Sequence, residues 1–259
     1  MSKFDPGLEI EYTSDPLGFK YGKQIFGPDV EERPLDAIRQ SLRDPNAKGP
    51  AVVYAIAMDV GKIEHQQILE DKMLLFGVVT YASGQIGAEP IRSQGHIHRV
   101  SNHSNWSPPE IYEIWQGEAI IYMQETAKDD PGKCYAIQAH PGDVVIVPPN
   151  WAHATISANP HEALTFGAWC DREYGFEYDE VRAHKGLAWY PLLKDNKIYW
   201  EHNPNYKDNG LIVKKPKDYS YLGIKKGVPI YKQFEENPEL FQFVSKPYLK
   251  KDEWENFIP

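Results

Sequence analysis

His96 and His98 stand two residues apart, the only His-x-His pair in the chain. On a β-strand that spacing points both imidazoles to one face. Glu110 and Tyr112 repeat it, which sends Ile111 and Glu113 to the opposite face. His153 follows the Pro148-Pro149 turn in a third segment. If these three faces line one interior, three neutral nitrogens and one carboxylate converge there. Buried polar groups need a partner, and a cation serves all four at once. The donor set suits one divalent transition metal per chain and leaves octahedral positions for substrate oxygens, without choosing among Fe, Mn, Ni, Co and Zn.

Positioning such a set requires strands, and the chain supplies them. From residue 51 the segments AVVYAIAMD, KMLLFGVVTYA, GHIHRV, EIYEIW, EAIIYMQ, KCYAIQ, DVVIVP, HATIS and ALTFGAWC are β-branched or aromatic runs. Gly, Pro, Asn and Asp punctuate them at short intervals, the pattern of a sandwich or closed barrel. EIYEIW and EAIIYMQ flank Gln116-Gly117 and read as a hairpin. Upstream, residues 1–30 read as a polar arm. Residues 31–44 read as a short helix, with Pro34 in the first turn and Leu35, Ile38 and Leu42 at helical spacing. Beyond about 185, GLAWYPLL and KIYWEH read as strands, and the last fifty residues as an extended tail with a short helix near 234–243. The organisation expected is an arm and helix over 1–50, a barrel over 51–186 and an extension over 187–259.

Composition narrows the function classes. Lys+Arg 28 against Asp+Glu 37 gives a net charge of −9, which provides no global field for nucleic acid or an anionic membrane. The two cysteines, Cys134 and Cys170, make neither a disulfide framework nor a CxxC clamp. With no apolar leader in MSKFDPGLEIEY and no long apolar run, a reducing cytoplasm is expected. His103, in the long loop 99–109, could approach a metal, but the Ser/Asn/Pro content of that loop reads as a solvent-facing excursion. His65, His140, His161, His184 and His202 have no partner spacing.

Gly95-His96-x-His98, Glu110 and Gly117, followed by Gly142, Pro148 and His153, resemble the two motifs of the cupin superfamily. The resemblance implies a mainly β fold: a single jelly-roll barrel (double-stranded β-helix). Two features depart from those motifs, the eleven-residue gap between His98 and Glu110 and Asn150 where glycine is frequent. VVYAIAMDV, SGQIGAEPIRSQGHIH, PEIYEIWQGEA, PGDVVIVPPNWAHATIS and EYDEVRAHKG further resemble the cupin-type glucose-6-phosphate isomerases, over roughly 50–186.

That resemblance implies metal ligands at His96, His98, Glu110 and His153, with Fe or Mn foremost, and Glu110 as catalytic base. The substrate would be a small sugar phosphate, its phosphate held at Tyr54, Ser93 and Gly95 by hydroxyls and backbone amides rather than an arginine cluster. Tyr112 and Tyr178 match residues facing the sugar. The reaction implied is aldose–ketose isomerisation between glucose 6-phosphate and fructose 6-phosphate, through a cis-enediolate or a hydride shift, in a homodimer. A family threonine falls near Val78, with Thr80 at the same parity; a histidine falls on Phe176 and a tyrosine on Cys170. These changes leave open a related sugar isomerase or epimerase, for instance on mannose 6-phosphate, and a metal-dependent cupin dioxygenase.

Overall fold

Strands that read as unbroken apolar runs need cover on both faces, and this fold supplies it. The computed structural model describes residues 4–259, so the first three residues of the expected arm lie outside the described residues. Ten strands build two sheets: β1 (Glu31–Pro34), β2 (Val52–Met58), β3 (Leu74–Tyr81), β4 (Glu110–Gln116), β5 (Ala119–Gln124), β6 (Cys134–Ala139), β7 (Val144–Val147), β8 (Ala152–Ser157), β9 (Thr165–Asp171) and β10 (Ile212–Lys214). The six-stranded sheet runs β7-β4-β9-β3-β2-β1 and the four-stranded sheet β8-β5-β6-β10. Pairing is antiparallel except between β6 and β10. This is the mainly β, cupin-like architecture the motifs imply.

The hairpin expected at Gln116-Gly117 does not form. β4 and β5 lie in different sheets, so the chain there steps from one layer to the other. Gly117 has φ +76°, and a Cβ at this position would sit 2.7 Å from the Ala163 carbonyl oxygen, so only glycine fits the crossing. A two-strand pattern with a short turn signal is the same in sequence whether the turn closes a hairpin or joins two layers.

Between the sheets lie Ile114, Ile121, Met123, Ile137, Val145 and Phe166. The outer face of the six-stranded sheet, with Phe76, Val78, Ile111, Trp115 and Trp169, is buried under the C-terminal segment through Tyr231, Phe234 and Phe241. Trp169 stacks on Tyr231 at 5.6 Å and 14°. Opposite Trp115 and Phe76 stands Gly167, where a Cβ would come within 2.4 Å and 2.5 Å of the two rings. The outer face of the four-stranded sheet packs Tyr122, Ala154 and Ile156 against Leu187, Ala188 and Tyr206. Every residue of β3, LLFGVVTY, is therefore buried.

Two expectations about the flanks are corrected. The helix expected over 31–44 is instead β1, paired with β2, followed by 3-10 turns at Leu35–Ala37 and Arg39–Ser41. Leu35, Ile38 and Leu42 still reach the inter-sheet core, through turns rather than a helical face. The C-terminal tail, expected to be extended apart from one short helix near 234–243, is instead a chain of short helices, including Ile230–Glu236, Gln242–Ser245 and Lys251–Glu255. The strands Trp189–Lys194 and Lys197–His202 form as read, and they pair with each other antiparallel. No helix among the described residues is long and apolar enough to cross a membrane.

Candidate metal centre and substrate cavity

The segment 91–98 runs along β8, with Ser93 N–H donating to Thr155 O at 3.0 Å, and His96 and His153 exchanging both backbone hydrogen bonds at 3.0 and 2.9 Å. That cross-strand pairing puts the two imidazole rings 4.3 Å apart. β4 brings Glu110 from the other sheet. The ligand atoms of His96, His98, Glu110 and His153 all fall within 4.8 Å of one another. Three segments distant in sequence thus meet at the four positions strand parity selects.

The second nitrogen of two rings is already committed. His98 Nδ1 lies 2.9 Å from Pro108 O and His153 Nδ1 lies 3.0 Å from Trp151 O. A carbonyl only accepts, so in both rings Nδ1 carries the proton when the imidazole is neutral, and Nε2 presents its lone pair inward. Both Nε2 atoms face Glu110 Oε2, at 3.2 and 3.3 Å. His96 Nε2 is buried with no hydrogen-bond partner among the described residues. A buried, unpartnered nitrogen beside two oriented imidazoles and a carboxylate fits a divalent ion, which would use that lone pair.

At His96, His153 and Glu110 the electrostatics favour the protonation states ligation needs, whereas at His98 burial is outweighed by Glu110, which raises the imidazole above its usual range. Burial holds His96 well below the usual imidazole range, reinforced by His153 and His98. Burial works against ionisation of Glu110, but the His153 and His98 imidazoles beside it outweigh that cost and hold the carboxyl well below the usual range. Tyr112 donates to Glu110 Oε2 at 2.6 Å, and burial followed by the Glu110 charge keeps its phenol protonated, far above its ordinary value. Cys170 Sγ donates to Glu110 Oε1 at 3.3 Å.

Beside this cluster is a cavity whose wall includes Tyr54, Ser93, Tyr112 and Tyr178, together with Arg33 and Gln94. Gly95 is not in the wall; at φ +90° it turns the chain between Gln94 and His96, and a Cβ there would meet Leu187 at 2.8 Å. Ser93 Oγ accepts from Thr155 N–H at 3.1 Å. Phe176 packs edge-on against His96 at 4.5 Å, so the positions of Phe176 and Cys170, where the sequence departs from the family pattern, both touch the ligand cluster.

The threonine placement is off by one residue. Gly77, Val79 and Tyr81 line the cavity wall, so Val78 and Thr80 have the opposite parity. Val78 joins the outer core, and Thr80 bonds Thr165 at 3.0 Å. Loop 99–109 faces solvent at Arg99, Val100, Asn102, His103 and Asn105, as read, but is buried at Ser101, Ser104 and Ser107 to Pro109. Ser107 donates to His98 O at 2.7 Å, Pro108 orients His98, and His103 Nε2 binds Asp171 Oδ2 at 2.8 Å rather than approaching the cluster. Asn150, at φ +67°, occupies a left-handed turn that Asn tolerates in place of Gly. Sequence reasoning missed Arg33, Tyr81 and the carbonyls of Pro108 and Trp151; a carbonyl leaves no side-chain signal.

Residues 33–209 match the sequence model of glucose-6-phosphate isomerase. The glucose-6-phosphate isomerase of Thermococcus litoralis is 28% identical over 160 residues, 62% of this chain and 75% of its own length. The putative glucose-6-phosphate isomerase 1 of Rhizobium meliloti is 25% identical over 204 residues, 77% of this chain and 85% of its own. Among solved structures, an oxalate oxidase is similar with a TM-score of 0.35 at 15% identity, covering 48% of this chain and 53% of that one.

Proposed function

This chain belongs to the glucose-6-phosphate isomerase family, and we propose that it interconverts glucose 6-phosphate and fructose 6-phosphate at a metal centre held by His96, His98, Glu110 and His153. The observation that carries the reading is the convergence of those four groups beside a cavity, with His96 Nε2 buried and unpartnered. A bound divalent ion, Fe or Mn foremost, would supply Lewis-acid stabilisation of negative charge on the sugar oxygens. The chain's own groups divide the remaining work. Glu110, ionised and buried, is the base that carries a proton between C1 and C2 through a cis-enediolate. Tyr112 fixes the Glu110 carboxylate through its 2.6 Å hydrogen bond. Phe176 packs edge-on against His96 and lines the same cavity, where it would shield that side of the site from water. In a hydride shift the same groups would orient the open-chain sugar, with Glu110 acting as ligand only.

A coupled assay tests the proposal. With Fe or Mn supplied, the protein turns over fructose 6-phosphate faster than mannose 6-phosphate or free fructose, and chelation abolishes the activity. Turnover that survives both chelation and His96→Ala contradicts the metal centre. A preference for mannose 6-phosphate contradicts the substrate. Deuterium at C2 that washes into solvent supports the proton route, and complete retention the hydride route.

A further inference from the structure

If the substrate carries a phosphate, the cavity must neutralise a dianion, and the hydroxyl wall does little of this. Along β3 the cavity meets Gly77, which has no side chain, Val79, which is apolar, and Tyr81. The Tyr81 phenol is engaged with Ser93 and Thr155. One cation does face the cavity. Arg33 lies on β1 directly opposite Tyr54 on β2, so the two side chains share a face. Both line the cavity, and the guanidinium carbon stands 5.9 Å from the centre of the Tyr54 ring.

The hydrogen-bond state of Arg33 suits an anion receptor. Its Nη2 pairs with Glu31 at 2.7 Å, and that carboxylate is largely exposed, 64% of its side chain facing solvent; such a pair contributes little. Its Nε is buried with no hydrogen-bond partner among the described residues, and the guanidinium donates to the Tyr54 hydroxyl beside it. Tyr178 stands on the same wall, with Arg182 stacked on its ring at 4.8 Å and donating to Gln94 at 3.0 Å. Burial pushes the Tyr54 phenol up to about 12, against the pull of Arg33, so its hydroxyl remains a donor.

We propose that Arg33 is the phosphate-binding cation of the cavity, with the Tyr54 hydroxyl beside it, and that it sets the preference for phosphorylated over free sugars. The guanidinium offers a planar fork of donors that matches phosphate geometry. It enters from β1, outside the segments that carry the ligand motifs, and it supplies the donor that Val78 and Thr80, facing away, do not. The choice of sugar phosphate rests on the isomerase reading; the anion site does not.

The test compares the full-length wild type with Arg33→Met and Arg33→Lys, each checked for an unchanged melting temperature. Affinity for inorganic phosphate is measured by calorimetry, and the KM for fructose 6-phosphate by coupled assay. Arg33→Met weakens phosphate binding and raises KM by roughly 10- to 100-fold, with kcat changed far less; Arg33→Lys recovers part of the loss because charge without the fork remains. Phosphate affinity and KM that are unchanged in Arg33→Met overturn the inference. Wild type that binds phosphate through Arg33 but isomerises no hexose phosphate supports the anion site while refuting the isomerase reading. Isomerisation with KM unmoved in Arg33→Met does the reverse. If the Met variant does not fold, Arg33→Lys decides: an unchanged KM and phosphate affinity overturn the inference, and an intermediate loss supports it.

Discussion

Glu110 and Glu113 are three residues apart on one strand, both buried, and chemically opposite. Glu110 faces the space between the sheets, where His153 and His98 hold it ionised against the cost of burial. Glu113 faces the outer core, where Oε1 accepts from Ile230 N–H at 2.8 Å and Oε2 from Trp115 Nε1 at 3.0 Å. Burial pushes its carboxyl up to about 8 despite those two donors. Burial alone therefore does not make a base; its partners decide. The inner face of β4 is built for chemistry. The outer face uses its carboxyl to fasten the C-terminal segment, whose first helix begins at Ile230.

The largest expected effect breaks the comparison if it fails. Glu110→Gln lowers kcat by about 10³- to 10⁴-fold, whereas Glu113→Gln leaves it within about threefold; equal losses would show that the two faces do not divide the work as described. On the outer face, Phe234→Ala removes a fully buried ring packed 4.7 Å from Trp169. It destabilises the fold by about 3–5 kcal/mol, read from denaturant unfolding, with kcat nearly unchanged. Tyr112→Phe removes the hydrogen bond to Glu110 and lowers kcat/KM by about 10- to 30-fold without moving the melting temperature much.

The smallest effect is a slope. A carboxyl whose folded pKa exceeds its unfolded value binds its proton more tightly in the folded state, so its contribution to stability is full below about pH 4.5 and is lost as pH rises towards 8. Wild type loses up to about 1.4 kcal/mol per pH unit from this group across that window. Glu113→Gln has a correspondingly flatter profile, measured as the difference between the two stability curves.

Parity made much of the site legible in the sequence. His96-x-His98 and Glu110-x-Tyr112 follow from a period of two, as does the outward direction of Glu113. The family resemblance put Val78 at the phosphate site one residue out of register, and parity carried Thr80 with it; β3 is buried on both faces, so no polar alternation marks which side faces in. Gln116-Gly117 advertised a turn but not which layers it joins. Of the C-terminal helices only one, near 234–243, was legible, because each is seven residues or fewer, too short for helical periodicity, and draws its stability from packing, as Tyr231 and Phe234 do on Trp169. Arg33 was hidden because its face depends on pairing with β2, where the sequence suggested a helix.

The central claim is that four side chains from three segments share one ion. Elemental analysis of freshly purified protein tests it most directly. The expected result is one divalent transition metal per chain in wild type and near zero in a folded His96→Ala/His153→Ala variant. Undiminished metal in that variant would contradict the account.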